Sequence, residues 1–186
     1  EGIRDDNGSP YLKLKMADLE DHFAKNAIFP LPNLKARKND SEVVYMRPCK
    51  INASNREDAD AFIDSLCYVL NDLSQTVEQC RNGVTVIADM QDVTKENFNK
   101  EYCAKMMEAL QGQLVPTRVE TLLIVSPPDW FGKVWKTMRT HMVQNFHQRV
   151  HVIKQDRLSE FLMDDYETYL PDDLSMGCAI ASEIAE

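Results

Sequence analysis

Val84-Thr85-Val86-Ile87-Ala88-Asp89-Met90 and Thr121-Leu122-Leu123-Ile124-Val125-Ser126 are the two runs on which the fold turns. Both are short, apolar and rich in β-branched residues. The first is opened by Asn82-Gly83 and the second is stopped by Pro127-Pro128. Such runs suit strands buried on both faces, as in a parallel sheet. Between them, within Glu96 to Gln113, Phe98, Tyr102, Met106 and Leu110 recur at helical spacing. After the proline pair, Asp129 to His147 reads as one long amphipathic helix, and His151-Val152-Ile153 as a further strand. Strands alternating with helices from Gly83 to Ile153 imply right-handed crossovers. The expected fold class is α/β, a mainly parallel sheet forming a floor with helices packed on it.

Further out, Glu42-Val43-Val44-Tyr45-Met46-Arg47 is a strand candidate closed by Pro48. A helix is expected from about Glu57 to Gln79. Its apolar stripe is Phe62, Leu66, Val69, Leu70, Leu73 and Val77, and Arg81-Asn82-Gly83 ends it. Tyr11 to Phe29 reads as containing one helix, with Met16, Leu19 and Phe23 on one face, stopped by Pro30 and Pro32. Glu1 to Pro10 reads as a turn or ragged end, Asn33 to Asp40 as a polar loop and Asp156 to Met163 as a short helix. Leu170 to Leu174 reads as a turn-bound segment. The expected organisation is an approach segment over residues 1–40, a domain over 41–176 and a tail over 177–186.

The chain has 186 residues, 44% of them hydrophobic, enough for one sizeable core. A net charge of −9 argues against a generally basic nucleic-acid binder. No segment approaches the roughly 18–20 consecutive apolar residues needed to span a bilayer. No signal peptide is read, and the first residue is Glu1 rather than methionine, so a fragment of a longer protein is expected. The five cysteines, Cys49, Cys67, Cys80, Cys103 and Cys178, are odd in number and mostly in apolar surroundings. That pattern suits unpaired thiols in a reducing cytosol, not a disulfide scaffold or a zinc site.

Catalytic signatures are missing. The sequence has no glycine-rich phosphate loop, no G-x-S-x-G elbow and no H-E-x-x-H helix. His147 and His151 have zinc-like spacing but no carboxylate between them, and read as surface residues. Asp89, at the end of its strand, stands where α/β enzymes place site carboxylates. Its simpler reading is a hydrogen bond to the following turn. No catalytic residue, metal or cofactor is assigned, and an enzyme is disfavoured. A hydrolase acting through Asp89 and a histidine would require a cleft that brings them together.

On Asp129 to His147, Phe131, Val134, Trp135, Met138, Met142 and Phe146 form one wide apolar stripe. Lys133, Lys136 and Arg139 form a second, basic stripe. Periodicity alone leaves two accounts open. One is an ordinary surface helix with solvated charges. The other is the cover of an adaptable pocket, since methionine and tryptophan offer large polarizable surface, with the cations meeting anionic head groups.

The ordered motifs resemble the Sec14, or CRAL-TRIO, lipid-binding domains. Gly83 to Asp89 is similar to that family's "G-hydrophobic-D" strand, and Pro116-Thr117-Arg118 to its "P-x-R" turn. Pro128-Asp129-Trp130-Phe131 is similar to the Pro-x-x-Phe that precedes its gate helix. Arg149 to Ile153 is similar to the strand after the gate, and Leu170-Pro171-Asp172-Asp173-Leu174 to a Leu-Pro-acidic-acidic-Leu segment. The similarity runs from about residue 40 to 176. Among such domains, the one attached to a non-receptor protein tyrosine phosphatase looks most alike, and those of Rho exchange factors are also similar.

The resemblance implies a mobile gate closing over a phospholipid, a phosphoinositide or another small hydrophobic ligand, with no catalysis. Trp130, Phe131, Val134, Trp135, Met138 and Met142 would line the cavity, with Ile87, Ile124 and Met106 as further walls. Arg118, Lys133, Lys136, Arg139 and Arg149 would meet head groups or the membrane. Where phosphatidylinositol-transfer members have Glu in the P-x-R turn and Lys before the last strand, this chain has Thr117 and Arg149. Its Leu-Pro segment continues into Ser175-Met176-Gly177 with a single glycine, and the preceding helical bundle is largely missing. The expected role is lipid sensing, transfer or membrane targeting of a larger signalling protein, in the cytoplasm and transiently at a membrane surface. The alternative is a ligand-free adaptor domain with a protein partner.

Overall fold

In the computed structural model, which describes residues 10–171, five strands form one sheet. Their spatial order is β1 (Ile28–Lys35), β2 (Glu42–Met46), β3 (Val84–Asp89), β4 (Val119–Val125) and β5 (Val150–Ile153). From β2 to β5 neighbours run parallel, while β1 joins β2 antiparallel. Every residue of β3 is buried, as a central strand covered on both faces requires. The helices are α1 (Glu20–Phe23), α2 (Arg56–Asp72), α3 (Val77–Asn82), α4 (Lys100–Leu110), α5 (Phe131–Thr140) and α6 (Gln144–His147).

From β2 onward each crossover advances the sheet in the same direction, so right-handed connections put α2, α4 and α5 on one face. Their buried side chains share a core with Val44, Val86, Leu122 and Ile124. The opposite face carries Val43, Tyr45, Ile87, Leu123 and Val125 beneath Leu158, Leu162, Tyr166 and Leu170 of the carboxyl-terminal 3-10 turns. That covering segment is pinned by an Ala36–Leu162 bridge and by Arg37, whose Nε donates to the Leu162 carbonyl at 3.1 Å.

Local chemistry sets the helix ends. Asn55 caps α2 by accepting from Glu57 N at 3.0 Å, and Asn99 caps α4 by accepting from Tyr102 N at 2.8 Å. Thr76 and Gln79 form a capping box on α3. Gly83 then turns the chain into β3 with φ 71° and ψ −163°, and a Cβ there would lie 2.6 Å from the Arg118 carbonyl. Only glycine fits both requirements. Asp89 is 3% exposed; Tyr45 donates to its Oδ2 at 2.6 Å and the Gln91 amide to its Oδ1 at 3.0 Å. Burial first, and then Asp89, push the Tyr45 hydroxyl far above its ordinary pKa. Asp89 is therefore a buried hydrogen-bonding group that organises the end of β3.

Several expected elements are built differently. The helix expected within Tyr11 to Phe29 is a pair of 3-10 turns, the single-turn α1 and the start of β1. The expected loop from Asn33 begins inside β1, because Pro30 and Pro32 sit on an edge strand where a missing N–H costs no ladder bond. The helix expected to run to Gln79 breaks after Asp72, and Val77 is 78% exposed rather than part of the stripe. The long helix over Asp129 to His147 is α5 and α6 separated by His141, Met142 and Val143. Asp156 to Met163 is mainly a 3-10 turn. The expectations for residues 1–9, for Asp172 to Leu174, for the tail and for Cys178 lie outside the described residues.

Candidate functional site

Both ends of α5 are held by tertiary contacts. At its start, Phe98 meets Trp130 edge-on at 6.2 Å and Phe131 at 5.9 Å between ring centroids, and Phe131 stacks on Trp135 at 6.3 Å. No side chain caps this end, so the aromatic cluster fixes the entry. At its finish, Gln111 clamps the break: its Nε2 donates to the His141 carbonyl at 2.9 Å, and its Oε1 accepts from Val143 N at 2.6 Å. Gln111 is itself positioned by the end of α4, where Nε2 also reaches the Met107 carbonyl at 2.8 Å. α5 is thus bounded by an aromatic cluster at one end and by the Gln111 clamp at the other.

The underside of α5 is apolar. Phe131 and Met138, with Phe146 of α6, are buried in the same core as Met106 and Ile124. Trp130, Val134, Trp135 and Met142 are half-buried against that core. The structure thus brings together eight of the nine expected lining residues. Ile87 is the exception: it lies on the opposite sheet face with Tyr45 and Leu123. The interface beneath α5 is occupied by the protein's own side chains, so α5 lies shut on the core.

The expected head-group contacts divide among three places. Lys133, Lys136 and Arg139 are exposed on the outer side of α5. Lys136 and Arg139, with Gly132, Trp135, Thr140 and His147, line an open groove of about 470 Å³. Arg118 pairs with Glu120 at 2.7 Å. Arg149 donates from Nη1 to the Val119 carbonyl at 3.1 Å and lines a different cleft, beside His151. Thr117 is buried and donates to the Leu70 carbonyl at 3.0 Å, tying the turn before β4 to α2. The sequence reading missed Gln111 as a clamp; its only local signal is its place beside Gly112, whose φ of 75° ends α4.

Other chemistry is quiet. Cys67 is pushed up to about 12 by burial and then by Asp64, and Cys103 to about 11 by burial, which keeps both as unreactive thiols. Among the described residues, no group of three or more His, Cys, Asp or Glu is placed to hold a metal ion. No described helix is long and apolar enough to cross a membrane.

A mainly parallel sheet with its crossover helices on one face and an amphipathic helix after the fourth strand describes a recognised class. Residues 34–174 match the CRAL/TRIO domain family, and the chain belongs to it. It is similar to tyrosine-protein phosphatase non-receptor type 9 of Mus musculus and of Homo sapiens, at 26% identity over 100 residues in each case. Those alignments take in 54% of this chain but only 17% of either phosphatase. The crystal structure of Sfh5 shares the fold, with a TM-score of 0.59 and 14% identity over 87% of this chain and 65% of that one.

Proposed function

We propose that this domain binds a phospholipid or another small hydrophobic molecule non-covalently in a space opened by lifting α5 from the core. The observation that carries the reading is the half-buried stripe of Trp130, Val134, Trp135 and Met142 lying over Met106 and Ile124. Displacing it exposes apolar surface that an acyl chain re-covers, at about 0.8 kcal/mol for each buried CH2. Lys133, Lys136 and Arg139, all exposed on the outer side, suit contact with an anionic membrane surface during loading. Membership of the CRAL/TRIO family supports the same reading. Similarity to a phosphatase over a small part of its length supports a role as the lipid-responsive module of a larger protein.

Native mass spectrometry of the purified domain tests the proposal. Wild type carries a co-purified lipid, and Trp135→Asp loses it while keeping the folded charge-state distribution. A lipid-free wild type, from cells and after incubation with mixed vesicles, refutes it. A second reading is favoured by the burial of Phe131, Met138 and Phe146 in the core: a domain that stays shut and serves as a protein-interaction module. A clean apo mass under every loading condition is the outcome that reading requires.

A further inference from the structure

The two edges of the sheet are finished differently. On β1, the Arg47 amide donates to the Ala27 carbonyl at 2.7 Å, so in this antiparallel pair the odd-numbered residues bond β2 and the even-numbered ones face outward. Pro30 stands in that outward row and has no N–H to offer, nor has Pro32 beyond it. An edge broken in this way resists pairing with another chain. β5 forms the opposite edge. There the Leu122 amide donates to the Arg149 carbonyl at 2.8 Å and the Ser126 amide to the Ile153 carbonyl at 2.9 Å. Alternate residues of a parallel strand bond the same neighbour, so Arg149, His151 and Ile153 face β4 while Val150 and Val152 turn amide and carbonyl outward. Among the described residues, no strand pairs with those groups. Val150–Ile153 holds neither proline nor charge, and Val152 is 46% exposed.

Charge says what kind of chain fits this edge. No acidic residue occurs between Asp129 and Asp156, whereas Lys133, Lys136, Arg139, Arg149 and Lys154 all do, in a chain whose net charge is −9. Lys154, directly after β5, is exposed and among the described residues has no carboxylate partner. A second copy paired edge to edge would set Arg149 and Lys154 of both chains along one short ladder with no acid in either segment. Like charges placed so closely oppose self-pairing. An anionic bilayer supplies the opposite charge but no row of backbone groups to meet Val150 and Val152.

We propose that the outer edge of β5 takes up an extended acidic segment of a partner protein as a further strand. The backbone of that segment bonds Val150 and Val152, an apolar side chain covers Val152, and a flanking carboxylate meets Lys154. In strand addition the main-chain bonds supply affinity and the side chains select the partner. The shortness of β5 limits the docked segment to a few residues. The interaction does not depend on a ligand beneath α5.

The probe is an acetylated and amidated peptide of alternating valine and threonine with aspartates at each end, followed by amide NMR and hydrogen exchange. At saturation it slows exchange of the Val150 and Val152 amides about tenfold, as one net hydrogen bond on each would, and leaves β1 unchanged. The same peptide N-methylated at its central residues has no donors to give and loses this effect. Lys154→Glu, at an exposed position, weakens binding of the acidic peptide about fivefold and strengthens binding of a lysine-ended counterpart. Val152→Pro removes an outward donor but no ladder bond, so it abolishes binding while β4 keeps its protection. The proposal is overturned if millimolar acidic peptide leaves Val150 and Val152 unmoved, if the N-methylated peptide binds equally well, or if Lys154→Glu responds like wild type. Concentration-dependent protection of Val150 and Val152 without peptide also overturns it, by assigning the edge to a second copy. The same response to phosphatidylserine vesicles overturns it by assigning the edge to a membrane. Trp135→Asp binds the peptide as wild type does, so a lipid-free mass for the domain separates failure of the α5 reading from failure of this one.

Discussion

Replacing Gln111 with alanine removes the two hydrogen bonds that span the break between α5 and α6. One, from Nε2 to the His141 carbonyl at 2.9 Å, is part-buried; the other, from Val143 N to Oε1 at 2.6 Å, is exposed. Net hydrogen-bond contributions are about 0.5–1.5 kcal/mol each, and the exposed one lies toward the lower end because water replaces it. The pair therefore favours the shut position of α5 by about 1–2 kcal/mol, a factor of roughly 5–30 in the shut-to-lifted ratio. The aromatic cluster at Phe98, Trp130 and Phe131 is untouched, so α5 should swing rather than detach. Amide hydrogen exchange is the assay: in Gln111→Ala, protection across 131–140 falls by that factor while β3 and β4 keep wild-type protection. Lipid uptake from vesicles accelerates in parallel. Unchanged exchange in α5 would show that the clamp does not hold α5 on the core. An equal loss across the sheet would show that Gln111 acts on global stability, and either result refutes the hinge reasoning.

Gly83→Ala should destabilise the domain by at least about 2 kcal/mol, because alanine is strained at φ 71°, ψ −163° and its Cβ would press on the Arg118 carbonyl. A melting temperature lowered by several degrees checks this, and an unshifted one refutes the close approach. Tyr45→Phe leaves the Oδ2 atom of buried Asp89 without its hydroxyl donor and should cost about 1–3 kcal/mol in urea denaturation. Adding Asp89→Leu to that variant should recover part of the loss, and additive costs would deny the coupling. His22 is held below its ordinary pKa by burial and then by Lys25, against the opposing pull of Asp58. Its contribution to stability is complete above about pH 6.5 and is lost as pH falls toward the folded value, where the unfolded chain takes up the proton first. Melting temperatures should therefore decline less steeply between pH 7 and 5 in His22→Gln than in wild type. For Asp58, burial acts to raise the pKa, but bonds from Lys25 and Asn52 N outweigh it, so Asp58 titrates in a lower window and does not mask the comparison.

Strands β3 and β4 could be read from the sequence because burial on both faces leaves apolar residues at nearly every position, a pattern that needs no knowledge of neighbours. β1 was hidden for the opposite reason. Pro30 and Pro32 read as breakers, and only its place at the sheet edge, pairing Pro30 with Val44, makes them harmless. The two unexpected helix breaks differ in kind. The one before Val77 is written locally, as the Thr76–Gln79 capping box. The one at His141 to Val143 has no local signal: Met142 and Phe146 continue the helical stripe, and the clamp that holds the break comes from Gln111 on α4.

The candidate site was readable in its residue types but not in its partition between two faces. In a strand apolar on both sides, alternation says that neighbours point apart but not which side either one takes. That is settled by cross-strand register: Ile87 stands beside Leu123, while Ile124 stands beside Ala88. The pairing sends Ile124 toward α5 and Ile87 away from it. The same parity governs β5, where Val150 joins the core beneath α5 and His151 packs with Phe161 on the far side. A list of cations drawn from one sequence therefore joins residues that the sheet keeps apart, with Lys136 and Arg139 on α5 and Arg149 behind the sheet.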